Sequence, residues 1–183
     1  LLTALLAPAL AAGAPARVVN LSSRGHRFGA VNLEDPNYQQ REYNKWQAYG
    51  EAKTANALFS VALDARGRSC GVRSFAVHPG VIMTELSRHM EQQDYELLTA
   101  GGTREMTFKS VEQGAATSVW AATSPALAGH GGIYLEDCHV AEPAIPGGEG
   151  GVESFAMDPD IADRLWQISE QLVGETFSFS PGH

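Results

Sequence analysis

Tyr49 and Lys53, in the segment YGEAK, stand four residues apart. On a helix that spacing projects both side chains from one face. A cation beside a phenol favours the phenolate, and a tyrosine tuned in that way can give or take a proton at an alcohol or carbonyl oxygen. Taken alone, the pair fits a surface contact with a half-buried ring just as well. Its flanks add context. Upstream, RVVNL runs straight into Ser22 and Ser23, and ligands in open α/β sheets bind at the C-terminal ends of parallel strands. A hydroxyl there can donate to the oxygen that the tyrosine protonates. The other reading of the serines is ordinary turn hydrogen bonding, which one of the two is expected to do. Downstream, HPGVIMT ends a second strand-like run. Gly80 removes a side chain at a point of close approach, and Thr84 offers a hydroxyl four residues on.

The elements that must hold these residues alternate, which predicts an α/β layer structure with a parallel sheet. Leu1 to Ala12 reads as the end of a buried helix stopped at Gly13. RVVNL, from Arg17 to Leu21, has the apolar, β-branched character of a strand buried on both faces. A polar loop rich in turn residues follows. Gln47 to about Ala65 is helical, with Ala48, Ala52, Ala55, Leu58, Phe59 and Ala62 on one side. GVRSFAV is a second buried strand, ended by His78, Pro79 and Gly80 because Pro79 cannot donate to a ladder. Ser110 to Ala122 is a helix with a capping box from Ser110 and Gln113. GGIYLED supplies a shorter third strand. After EPAIPGGEGG, Asp158 and Pro159 open a last helix whose Ile161, Leu165, Ile168 and Leu172 should dock on the body.

Bulk properties exclude several classes. The 183 residues suffice for one domain with a core. With 13 Lys and Arg against 21 Asp and Glu, the formal net charge is −8, and no basic cluster is present to meet nucleic acid. Cys70 and Cys138 form no CxxC pair, so neither a disulfide framework nor a metal site is expected, and a reducing, cytoplasmic setting is the simpler assumption. No stretch reaches the ~20 apolar residues of a membrane span. LLTALLAPALAAGA resembles a signal peptide only in its apolar run, without an initiating Met or basic segment.

Strand-Ser-Ser, YxxxK on a helix, then strand-Pro-Gly-xxx-Thr, in that order, resembles the short-chain dehydrogenase/reductase family over essentially the whole chain. SSRGHRFG, WQAYGEAKTANALF and HPGVIMTEL look like its retinol-dehydrogenase-like branch, in which a long loop separates serine from tyrosine. The resemblance implies an NAD(P)-dependent oxidoreductase that interconverts an alcohol and a carbonyl by hydride transfer. Its cofactor would be NAD or NADP, and its substrate a small hydrophobic molecule. Tyr49 would be the acid/base. Lys53 would favour its phenolate and bond the nicotinamide ribose hydroxyls. Ser23, the second serine as is usual in the family, would hold the substrate oxygen. Pro79, Gly80, Ile82 and Thr84 would border the nicotinamide, with the Ile82 backbone and the Thr84 hydroxyl near its carboxamide.

The family's TGxxxGxG turn, which cradles the cofactor pyrophosphate at a helix N-terminus, does not occur in these residues, nor does its NNAG strand. The expected fold is therefore the C-terminal part of a Rossmann-like three-layer αβα domain with a parallel sheet. Residues 1–142 would form that part, and 143–183 a loop and helix packed on the same domain. The first strand's open edge also favours a longer parent. The alternative is an inert fragment or interaction remnant that lacks cofactor binding. The reading frame upstream of Leu1 separates the two. Oligomeric state stays open, since the small-residue side of the Tyr49 helix also suits a homo-oligomer contact. His26 is expected to be solvated or a turn residue, His78 and Trp46 to pack, and Glu136 with Asp137 to form a solvated turn.

Overall fold

β-branched and aromatic side chains suit a pleated, buried backbone, and the runs that carry them form the sheet. The computed structural model describes residues 1–82, 94, 108–148 and 150–179; Thr84 and most of 83–107 lie outside them. Four strands, β1 (Ala16–Leu21), β2 (Val72–His78), β3 (Ile133–Glu136) and β4 (His139–Val140), lie in the order β1-β2-β3-β4. β1 and β2 are parallel, with Val18 opposite Ser74, and β2 and β3 are parallel, with Phe75 opposite Ile133. The expectation of a parallel sheet needs one correction: β3 and β4 are antiparallel. Asp137 and Cys138 take φ of 46° and 58°, and two consecutive left-handed residues make the tight turn whose twist matches a hairpin. Neither is a glycine, so the sequence does not announce the reversal.

Alternation along the strands builds the layers. Phe75, Val77 and Leu135 face Ala121 of α4 (Val111–Thr123). Ala76 and Tyr134 face the other way, onto Ala57 of α3 (Lys45–Gly67). This is a Rossmann-like α/β arrangement with helices on both faces. α5 (Pro159–Val173) packs outside α3, where Phe59 and Trp166 stack at 5.7 Å and Ala162 meets Leu58 and Leu63.

Side chains satisfy the first amides of the three longer helices, which have no intrahelical partner. Asn44 caps α3 by accepting from the Trp46 and Gln47 amides, Ser110 and Gln113 form the capping box of α4, and Asp158 caps α5 with Pro159 in its first turn. The Arg17 guanidinium donates to the Ala121 and Ser124 carbonyls at the other end of α4, at 2.9 and 2.8 Å.

Several element-level expectations are revised. The first apolar run is two short helices, α1 (Leu2–Leu5) and α2 (Ala7–Ala12), with only Ala7 buried, because Pro8 cannot continue the first. β1 is half-buried, and among the described residues it pairs with β2 alone. On α3 the buried side at the N-terminal end is Gly50, Glu51, Thr54 and Ala57, while Ala52 is exposed. On α5, Ile161, Ala162, Leu165 and Trp166 meet the body and Leu172 is exposed. Among the described residues, no helix is long and apolar enough to cross a membrane.

Candidate active site

The end of β1 sets the geometry. After Leu21 the chain passes Ser22 and Ser23 and winds into a 3-10 turn, Arg24–Phe28. Ser22 is buried and donates to the Lys53 carbonyl at 2.8 Å, fixing the turn to α3. Ser23 accepts from the Gly25 amide at 3.0 Å, which leaves its own O–H to donate elsewhere. The turn hydrogen bond expected of one serine is thus made by Ser23, as acceptor, while Ser22 ties the turn to α3.

Gly25 is where the serine turn and α3 converge. A methyl group added there would lie 2.5 Å from Tyr49 Cε1 and 3.4 Å from Ser23 Oγ. Only a glycine lets the tyrosine ring rest against the serine turn. Lys53 Nζ stands 5.7 Å from the Tyr49 ring centroid and donates to the Leu21 carbonyl at 3.3 Å. That bond uses one of its three protons. Asn56 donates to the same carbonyl at 2.8 Å. Burial pushes the Lys53 ammonium below its ordinary range. The Tyr49 hydroxyl makes no hydrogen bond among the described residues, and its ring is edge-on to Trp46, which in turn meets Phe28 edge-on.

The second turn is tied to the first by His78. Its Nδ1 accepts from the Arg24 amide at 3.2 Å and the Gly80 amide at 3.4 Å. Gly80, at φ 90°, turns the chain after Pro79. The Lys109 side chain lies over it and pairs with Asp137. Ile82 forms a bridge with Lys109, and its side chain packs against Gly114 of α4. Ser23, Tyr49 and Lys53 are therefore brought together, with Pro79, Gly80 and Ile82 on the adjoining strand end, while Thr84 falls outside the described residues.

Burial, then the nearby Arg24 charge, push the His78 imidazole down to about 4. The folded chain keeps it neutral while the unfolded chain protonates it near 6.5, so stability falls as pH drops from about 6.5 to about 4 and levels off below. The loss amounts to at most about 3 kcal/mol. Thermal unfolding across that range should show it, and His78→Asn should flatten it; an unchanged slope would refute the assignment.

His26 is the turn residue that one of its two expectations described, but it is buried and not solvated, and Glu136 is buried as well. Glu136 closes β3 and accepts from the Gly151 amide at 2.6 Å. Thr54, one residue after Lys53, was not singled out by the sequence, yet it donates to the His26 and Gly29 carbonyls at 3.0 and 2.8 Å. The loop before α3 is pinned by Arg41, whose guanidinium grips the buried Glu51 carboxylate and lies 3.7 Å from the Tyr38 ring centroid. Burial pushes the Glu51 carboxyl up, but bonds from Arg41 and Gln47 outweigh it and leave the group lowered.

Comparison with known proteins decides the family. The chain is 40% identical over 162 residues to the short-chain dehydrogenase/reductase prx1 of Penicillium roqueforti, covering 86% of this chain and 46% of that protein. It is 38% identical over 176 residues to human retinol dehydrogenase 13, covering 95% of this chain and 50% of the relative. This chain belongs to the short-chain dehydrogenase/reductase family. It spans about half the length of the curated relatives it matches. A Streptomyces lividans protein named "Probable oxidoreductase" is 40% identical over 159 residues, covering 83% of this chain and 53% of its own. The relatives' names make oxidoreductase the general activity of this short-chain dehydrogenase/reductase chain's family. A crystal structure of an uncharacterized protein from Mycobacterium paratuberculosis aligns with TM-score 0.56 and 29% identity, over 88% of this chain and 51% of that one. No family model matches the chain.

Proposed function

We propose that the complete protein is an NAD(P)-dependent oxidoreductase that interconverts an alcohol and a carbonyl. The observation that carries this reading is the meeting of a tyrosine ring, a serine with an uncommitted O–H and a half-buried lysine at the C-terminal end of β1. During reduction the Tyr49 hydroxyl gives its proton to the carbonyl oxygen, and Ser23 donates a hydrogen bond to the same atom as negative charge develops. In oxidation Tyr49 takes the proton back. A nicotinamide cofactor, when bound, supplies or accepts the hydride. Lys53 fits such a group, because its Leu21 bond leaves two N–H donors for ribose hydroxyls. Pro79, Gly80 and Ile82, with Thr84, would border the nicotinamide. The segment 143–183 belongs to the same domain in this reading, which also goes with a cytoplasmic setting.

Phe28 and Tyr49 expose apolar surface around Trp46 at the site's mouth, which favours a hydrophobic substrate. Several relatives are named retinol dehydrogenases. Assays of the complete protein with NAD or NADP and a homologous series of linear alcohols test this. Each buried methylene is worth ~0.8 kcal/mol, so kcat/KM should rise about fourfold per carbon until the pocket is full. A flat series would remove the hydrophobic assignment. Lys53→Ala should weaken cofactor binding and turnover together; unchanged cofactor affinity would count against the ribose contact.

A further inference from the structure

His26 is fully buried one short turn after Ser23, in a segment whose composition promises exposure. Its two ring nitrogens face opposite kinds of partner. Nδ1 is 2.7 Å from the Ser23 carbonyl oxygen, and Nε2 is 3.1 Å from the Glu153 backbone amide. A carbonyl only accepts and an amide N–H only donates. Both bonds therefore exist in a single state of the ring, the neutral tautomer with its proton on Nδ1.

The surroundings extend this lock. The Tyr134 hydroxyl lies 3.3 Å from His26 Nδ1, with the rings 5.1 Å apart. Ser22, on the same turn, donates to the Lys53 carbonyl. Burial pushes the Tyr134 hydroxyl up, so it stays neutral, and with the His26 proton on Nδ1 its oxygen accepts from that N–H as a second, longer partner beside the Ser23 carbonyl. Thr54 holds the His26 carbonyl from α3. Through one imidazole the serine turn is joined to β3, and to the segment that carries Glu153.

We infer that His26 is a positioning residue: in its Nδ1–H form it locks the Ser23 turn to the Glu153 segment, so that Ser23 and Tyr49 address the same substrate oxygen. This rests on the functional reading above. The charged and titratable groups around the ring are Arg27, which pairs with Glu153 at 3.8 Å, together with Glu153, His78 and Tyr134. Burial comes first among the effects on the imidazole, and it leaves the group lowered. Protonation would set a new N–H against the Glu153 N–H and open the lock from that side.

Two measurements on the complete protein test the inference. Imidazole 15N spectra should show His26 neutral, protonated at Nδ1, at pH values where an exposed histidine is already charged. An Nε2–H tautomer, or an ordinary titration, would overturn the lock. In kinetics, His26→Asn keeps a donor at the Nδ1 position, whereas His26→Phe keeps none. The Phe variant should lose about 10²-fold in kcat with cofactor KM little changed, as expected for a displacement near 1 Å. The Asn variant should recover most of that loss. Equal kcat in the two variants would overturn the positioning role, and the Asn comparison with wild type decides the matter if the Phe variant does not fold. Full turnover in Tyr49→Phe would instead remove the functional reading and leave the tautomer untouched, so the two failures are distinguishable.

Discussion

Tyr49→Phe is expected to lower turnover of the complete protein by about 10²–10⁴-fold, the range that a positioned acid/base contributes. The substitution is clean on structural grounds. The ring stays between Trp46 and Gly25, and the atom removed makes no hydrogen bond among the described residues, so no buried partner is orphaned. Tyr49 is 37% exposed, which lets water fill the vacated position without a cavity cost. Lys53 keeps its bond to Leu21, so cofactor affinity should hold while kcat falls. Steady-state assays paired with a cofactor titration separate the two quantities. Near-normal activity in this variant would sink the assignment of Tyr49. Ser23→Ala should act in the same direction but less strongly, because one donor to the oxygen would remain.

The sequence carries the helix-borne part of this site well and its supports poorly. YGEAK places Tyr49 and Lys53 on one face through local spacing alone, and the capping residues Ser110 and Asp158 act over three residues, so both are legible without tertiary context. The buried face of α3 is not. Ala48, Ala52 and Ala55 look like the natural inner stripe, but the helix turns Gly50, Glu51 and Thr54 inward. It does so because the serine turn and the Arg41 loop both pack there. His26 is hidden for a similar reason. A lone histidine in a polar run is buried here by Tyr134 and Glu153, more than a hundred residues away in the chain. The apolar first run misleads in the opposite sense, since Leu1, Leu2, Leu5 and Leu6 are exposed.

Gly50→Ala tests whether that close packing is what aims Tyr49. An alanine in a helix interior normally gains about 1 kcal/mol over glycine, so propensity alone predicts a more stable protein. The added methyl, however, would lie 2.7 Å from Phe28 Cβ, 2.9 Å from the Gly25 carbonyl oxygen and 2.9 Å from the Gly29 amide nitrogen. Two of those three atoms are backbone and cannot rotate away. Overpacking costs about 1–3 kcal/mol when side chains can adjust and more when they cannot, so the steric term should win and leave a net loss of about 2 kcal/mol. The relief available is a shift of α3 away from the 3-10 turn, which separates Tyr49 from Ser23 and also stretches the Ser22 bond to the Lys53 carbonyl. A displacement near 1 Å is enough to reduce turnover by about 10²-fold. Ala52→Gly, on the exposed side of the same helix, is the control: it should cost about 1 kcal/mol in unfolding and leave kcat unchanged. Unfolding midpoints and kcat measured for both variants decide between the two causes. If Gly50→Ala stabilised the protein and kept full activity, helix α3 would not owe its placement to this contact, and the serine turn would have to be aimed at Tyr49 by something else.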